Sequence, residues 1–335
     1  MPNTNYATDL LSTTFEVFYR TRPSDAIFGE FVLWRTLADK NKISKQGGSK
    51  ILTPIMYRKS TAVFSYSGYD LFDMTPQDVV TNAEFDWKFY GGTVVIDNPT
   101  HLMNRGDKAI LNILKTRTQQ AETSLADKMN QDSFLDGTGN SSKNVTGLAL
   151  MVDSAGTYGN IARASNSWWG AQETAVSGTL AIRGSTGMAR MYNDCGLGPK
   201  RQVPDLIITD QDEFEAYEAL QDPYIRYTVA PVGGKMNVVN AEQNLMFRKA
   251  MVEWDDYCQS GVMYFLNTER IAVVELEGRG AEVEEDLIES DQGSFRVSKF
   301  VEPHNQDAQS AKIRWAGNYV ADNCIRLGKL TGLTD

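Results

Sequence analysis

The stretch from Asn98 to Phe134 constrains this chain most, because it opens with Asn98-Pro99-Thr100 and then contains no further proline. Proline at a first helical position forfeits no hydrogen bond, since that N–H has no intrahelical partner. Ile110, Leu114, Thr118, Ala121, Leu125 and Met129 then recur every three or four residues, so the spacing predicts one helix with a narrow apolar stripe. At ~1.5 Å of rise per residue it would be on the order of 45 Å long, a beam rather than a core helix. Lys50 to Ile96 reads as strands and turns, and the chain from Gly147 on as mixed α/β. An α+β chain with an extended ribbon ahead of a rod and a lobe behind it is an odd plan for an enzyme and a natural one for a building block.

The 335 residues, 41% of them apolar, can bury a real core. No apolar run is long enough to span a membrane, and Met1 to Tyr6 has neither the basic nor the hydrophobic region of a signal peptide. Synthesis in a cytoplasm-like compartment is expected. Cys195, Cys258 and Cys324 are isolated and odd in number, which argues for buried free thiols against a disulfide framework or a zinc site.

A net charge of −10 does not indicate a bulk electrostatic grip on nucleic acid, which needs clustered Lys and Arg. The distribution says more than the sum. Arg35, Lys40, Lys42, Lys45, Lys50, Arg58 and Lys59 share a window with one acid, Asp39. Glu275, Glu277, Glu282, Glu284, Glu285, Asp286, Glu289 and Asp291 share another with one base, Arg279. These windows are either solvated faces or complementary surfaces that meet between copies of the chain.

Residues 1–48 look like an arm. Leu11, Phe15 and Phe18 have helical spacing, Pro23 interrupts, Ser24 can cap a second helix with Ile27, Phe31 and Trp34 on one face, and Gly47-Gly48 ends it. Strands are expected at Ile51 to Tyr57, Thr61 to Tyr66, Phe85 to Tyr90 and Thr93 to Ile96, with a bulge at Gly91-Gly92. A two-stranded ribbon is marginal in water and has little core of its own to cover Phe64, Tyr66, Trp87 and Phe89. A partner surface must cover them. Further on, residues 175–194 read as helical, Pro204 to Thr209 as a buried strand, and Asp210 as the cap of a helix with Phe214, Tyr217 and Leu220. Strands are then expected at Phe247 to Trp254, Val262 to Asn267, Ile271 to Leu276, Gly293 to Val301 and Ala311 to Ile325.

Only His101 and His304 exist, neither in an HExxH or triad context, which argues against hydrolytic triads and His-rich metal sites. Gly137-Thr138-Gly139 and Gly278-Arg279-Gly280 lack phosphate-loop endings and read as turns. Trp168-Trp169 beside Arg163 reads as core, with a stacking platform for nucleic acid as the alternative.

This order of elements resembles the major capsid proteins of tailed bacteriophages, which have the Hong Kong 97 fold. The string Gly147-Leu148-Ala149-Leu150, followed by Gly156 to Arg163 and Trp168-Trp169, is similar to one found in a subset of them where the axial lobe begins. The resemblance implies an N-arm (1–48), an extended β loop and its base (49–97), a spine helix (98–134, stripe Ile110, Leu114, Leu125, Met129), an axial domain (145–240) and a β-rich return to the peripheral domain (241–335). It implies hexamers and pentamers in an icosahedral shell around double-stranded DNA, with each extended loop over a neighbour. Lys50, Arg58, Lys59, Phe64, Tyr66 and Trp87 would lie at that interface, with Glu282, Glu284, Glu285 and Asp286 as the acidic counterpart. It further implies a virion location, a separate scaffold, a portal, decoration proteins, only weak contact with packaged DNA, no membrane, no cofactor and no enzymatic activity. The other classes open to this sequence are a phage tail or appendage protein and an acidic-residue, metal-dependent enzyme.

Overall fold

In the computed structural model the described residues are 31–72, 74–99, 113–196, 201–221, 230–232, 235–237, 245–276, 287–289, 296–298, 300–303 and 307–334. They form two units, one drawn from 29–89, 129–278 and 316–335, the other from 90–128 and 279–315.

The larger unit is built around Leu206-Ile207-Ile208-Thr209. An unbroken apolar run suits a strand covered on both faces, and all of these residues are buried. The sheet order is Met246–Phe247, Ala250–Trp254, Leu206–Thr209, Val262–Leu266, Gly328–Leu333, Gln172–Gly178. Leu206–Thr209 runs parallel to Ala250–Trp254 and antiparallel to Val262–Leu266. Helices Met188–Cys195 and Gln211–Gln221 supply Met188, Met191, Tyr192 and Tyr217 to a core with Ile207, Val252, Met263, Phe265 and Leu330. Asp210 caps the second helix, its Oδ1 accepting the Glu213 N–H at 3.4 Å. Leu220, expected on the inner face of that helix, is exposed, and Glu213 is buried instead.

Three local readings are corrected here. Residues 172–178 form a strand rather than the start of a helix, because Gly328–Leu333 pairs with them in parallel; the helix begins at Met188, after Gly184 and Gly187. Strands on either side of residue 240 therefore share one sheet. Phe31 is the residue preceding the helix Val32–Asp39, not part of its inner face, and Val32, Leu33 and Leu37 are the buried residues. Residues 43–46, read as part of the arm, are a strand parallel to Ile271–Leu276. That pairing sets Lys45 in register with Glu275, so one charge pair expected between copies lies on neighbouring strands of a single chain.

The helix Ile113–Ser133 is continuous over 21 residues, roughly 30 Å at ~1.5 Å per residue. Leu125 and Met129 are buried. Ile110, and the Leu114 side chain with it, lie outside what is described. The last turn is fixed by a buried polar contact: Asn130 Nδ2 donates to both Asp255 carboxylate oxygens at 3.1 Å, and the Tyr257 N–H adds a third bond at 3.0 Å. Burial raises the Asp255 carboxyl above its ordinary value of 3.8, against the lowering pull of hydrogen bonds from Tyr257, Asn130 and Val32. The folded chain thus holds this proton more tightly than the unfolded one. Stability from this group is greatest below the unfolded value and falls as pH climbs through the raised folded value. Asp255→Asn cannot ionise, so the melting temperature of the wild type minus that of the variant should become less positive as pH rises above the ordinary carboxyl value of 3.8. A flat or rising difference in paired thermal melts would contradict this.

The strand Lys88–Asp97, most of it in the smaller unit, pairs with Ala308–Ala321, which also pairs with Arg296–Ser298 through Arg296↔Arg314 and Val297↔Ile313. Val94 and Ile96 are buried, and Tyr90 meets Trp315 edge-on at 6.0 Å. Gly91-Gly92 lies within one unbroken strand. The expected bulge is not formed there, because each residue continues the inward and outward alternation.

Candidate functional site

Ile51–Met56 and Val80–Phe85 form an antiparallel hairpin, paired from Ile51↔Phe85 to Met56↔Val80. Alternation sends Ile51, Ile55, Ala83 and Phe85 inward and leaves Leu52, Met56 and Val80 exposed. The root is seated on the string around Gly159. Glu84 N–H donates to the Gly159 carbonyl at 3.0 Å, and Phe85 packs on Tyr158 at 5.0 Å. Gly159 has φ +58°, and a Cβ there would lie 2.8 Å from Ala83 Cβ, so both conformation and space require glycine.

Beyond the paired strands the chain makes a long excursion from Tyr57 to Val79. The expected strand Thr61 to Tyr66 is absent: it finds no ladder partner, and backbone pairing is what a strand needs. The excursion is nevertheless tied across its width. Tyr57 N–H bonds Val79 O at 3.1 Å, Gln77 Nε2 bonds Thr61 Oγ1 at 2.7 Å, and Ser67 N–H bonds Asp70 Oδ2 at 2.8 Å. Phe72 gathers Phe64 and Tyr66 at 5.6 and 5.0 Å. That small cluster does not hide them, since Phe64 stays 42%, Tyr66 63%, Tyr69 104% and Met74 91% exposed. Val63, Leu71 and Phe72 are exposed as well, which makes one contiguous apolar segment of a kind that soluble monomers rarely present. Trp87 differs from the expectation of an uncovered ring. It is half-buried and donates its indole N–H to Gly48 O at 2.9 Å.

The basic window is partly satisfied within the chain. Arg35 pairs with Glu253, Lys40 with Asp205, and Lys50 with Glu84 at 3.2 Å, all partly exposed contacts worth under about 1 kcal/mol each. Arg58 and Lys59, at the neck of the excursion, are exposed and have no ion-pair partner among the described residues. Glu282, Glu284, Glu285 and Asp286 lie outside the described residues, as do both histidines.

Trp169 and Arg163 are core. Trp169 is buried and its indole donates to Tyr158 O at 2.8 Å. The Arg163 guanidinium donates to the carbonyls of Leu150 and Met151 at 2.8 Å, Ala155 at 3.1 Å and Trp169 at 3.3 Å, and lies 5.2 Å from the Tyr158 ring centroid. Nothing in the local sequence signals this role, since a lone arginine in a polar stretch reads as surface. Trp168 is half-buried and stacks on Tyr57 at 5.4 Å, joining this knot to the neck of the excursion.

A cavity of about 800 Å³ between the helix Val32–Asp39 and the strand Ala250–Trp254 gathers Asp39, Asp205, Glu253, Asp255 and Asp256. Asp205, Glu253 and Asp255 are committed to Lys40, Arg35 and Asn130. Among the described residues no group of three acidic, histidine or cysteine side chains is arranged to hold a metal ion.

No protein-family model and no curated protein matches this sequence. Solved structures do. A chain of the Cyanophage A-1(L) capsid asymmetric unit superposes with a TM-score of 0.73 at 16% identity, over 96% of this chain and 98% of that one. The capsid of a native GTA particle gives 0.62 at 10% identity over 100% of both chains. The encapsulin complex of Synechococcus elongatus gives 0.58 at 10% identity, over 97% of this chain and 95% of that one. Likeness over nearly whole chains at such low identity is a likeness of backbone path, and by it this chain has the Hong Kong 97-like fold from which capsid shells are built.

Proposed function

We propose that this chain is the major capsid (head) protein of a tailed phage, assembling as hexamers and pentamers into an icosahedral shell around double-stranded DNA. The observation that carries this reading is the excursion from Tyr57 to Val79, whose aromatic and aliphatic side chains stay largely exposed among the described residues. Identical neighbours in a closed lattice supply that cover, and burying such area is the main favourable term in association. The basic neck would meet an acidic surface of the adjacent copy, with Glu282, Glu284, Glu285 and Asp286 as candidates from the sequence. A separate scaffold, a portal and decoration proteins fit the same role, as do synthesis in the host cytoplasm and residence in the virion. A net charge of −10 suits an inner face that holds packaged DNA only weakly. The role is structural and requires no catalysis or cofactor.

The expressed chain should give closed particles or capsomer-sized oligomers in negative-stain micrographs and light scattering. Replacing residues 60–77 by a short Gly-Ser turn should abolish them while the chain still folds, because the Tyr57 to Val79 bond closes the hairpin below the cut. A stable wild-type monomer, or a truncated variant that assembles normally, would overturn the proposal. Rings or tubes would point to an appendage protein. Stabilisation by divalent cations in proportion to occupancy would point to the acidic cavity as a metal-dependent site. An encapsulin shares the fold, so contents are read separately: particles from infected cells should protect double-stranded DNA from nuclease.

A further inference from the structure

The cavity beside the helix Val32–Asp39 has an uncommitted side. Its wall includes the apolar Val32, Phe214 and Leu245, together with Trp254, which is 42% exposed although it lines a concavity. Asp39 and Asp256 at the same cavity are exposed and have no ion-pair partner among the described residues. An exposed indole flanked by free carboxylates suits a cationic side chain that can lie on the ring and bond the acids, arginine above all. Arg58 and Lys59 are such cations: both are exposed, have no ion-pair partner among the described residues, and are close in sequence to the exposed Val63, Phe64 and Tyr66.

We infer that this cavity receives the neck of the excursion from a second copy of the chain, with Arg58 on Trp254 and Arg58 and Lys59 against Asp39 and Asp256. The inference rests on the shell reading above and names the surface that the neck meets. Complementary charge sets the register of docking, and the apolar wall covers Val63 and Phe64. This surface is the alternative to Glu282, Glu284, Glu285 and Asp286 as the acidic counterpart of the neck, and the test separates the two.

The test is a charge exchange in the full chain, read by sedimentation and negative-stain microscopy. Arg58→Glu with Lys59→Glu should raise the protein concentration needed for assembly at least about tenfold, and so should Asp39→Lys with Asp256→Lys. Combining the two pairs should restore assembly to within about threefold of the wild type, as a compensating exchange requires. All four side chains are exposed, so each variant should melt like the wild type. If the wild type assembles and the combination does not recover, this docking surface is wrong and the shell reading stands. Recovery of the neck variant by Lys at positions 282, 284, 285 and 286 instead would also overturn it. A wild type that never assembles overturns both. As an independent readout, Lys59→Cys with Asp256→Cys should give covalent ladders on mild oxidation of assembled particles, and their absence counts against the docking. The native thiols should not interfere, since all are buried and burial pushes the Cys324 thiol up to about 12.

Discussion

Replacing Arg163 by methionine is expected to lower the free energy of unfolding by about 3–5 kcal/mol, enough to unfold a marginal domain. Methionine matches the aliphatic stem and fills similar space, so the loss isolates the guanidinium. Four carbonyls, of Leu150, Met151, Ala155 and Trp169, lose their donor, and an unsatisfied buried acceptor costs about 1–3 kcal/mol each before relaxation. The contact with the Tyr158 ring goes too. Lysine should rescue little, because a compact ammonium cannot span carbonyls that a planar fork reaches together. Denaturant melts followed by tryptophan fluorescence measure this directly, and a midpoint shift equivalent to less than about 1 kcal/mol would refute the assignment. Since Tyr158 and Gly159 seat the root of the hairpin, surviving Arg163→Met protein should also assemble poorly.

Gly147→Ala is expected to destabilise by about 3 kcal/mol or more. The backbone there is extended, φ −89° and ψ −175°, which any residue adopts, so conformation is not the reason for glycine. Space is. An added Cβ would lie 2.2 Å from Leu135 O, 2.5 Å from Ser133 O and 2.7 Å from Asp132 O. These are carbonyls at the end of the long helix, where backbone acceptors run out of intrahelical donors and the chain must pass close. Backbone atoms cannot step aside as a flexible side chain can. The control is Gly156→Ala, where φ is +76° but nothing lies within 4 Å of the added carbon. That change should cost only about 1 kcal/mol, the conformational penalty alone. Equal effects at the two positions, measured by thermal melts, would show that close approach is not what holds Gly147.

These two residues belong to the string on which the resemblance to phage capsid proteins rests, and the structure supplies its physics. Gly147 lets the lobe start against the end of the rod, Gly159 takes the hairpin root, Arg163 collects carbonyls and Trp169 fills the space between. Glu282, Glu284, Glu285 and Asp286 lie outside the described residues, and their role is a proposal.

What the sequence determined by itself is whatever rests on short-range periodicity. The helix Ile113–Ser133, the buried run Leu206 to Thr209, the Asp210 cap and the hairpin strand Ile51–Met56 were legible because each is specified by neighbours one to four positions away. Tertiary structure alone decided what depends on a distant partner. Gln172–Gly178 is a strand because Gly328–Leu333 returns beside it, and Ile43–Gln46 because Ile271–Leu276 does. Thr61 to Tyr66 has the composition of a strand and is not one, because no ladder meets it. The aromatic content of that segment is written in the sequence; that its side chains stay exposed among the described residues is a fact of packing, since burial is a property of where the rest of the polypeptide goes.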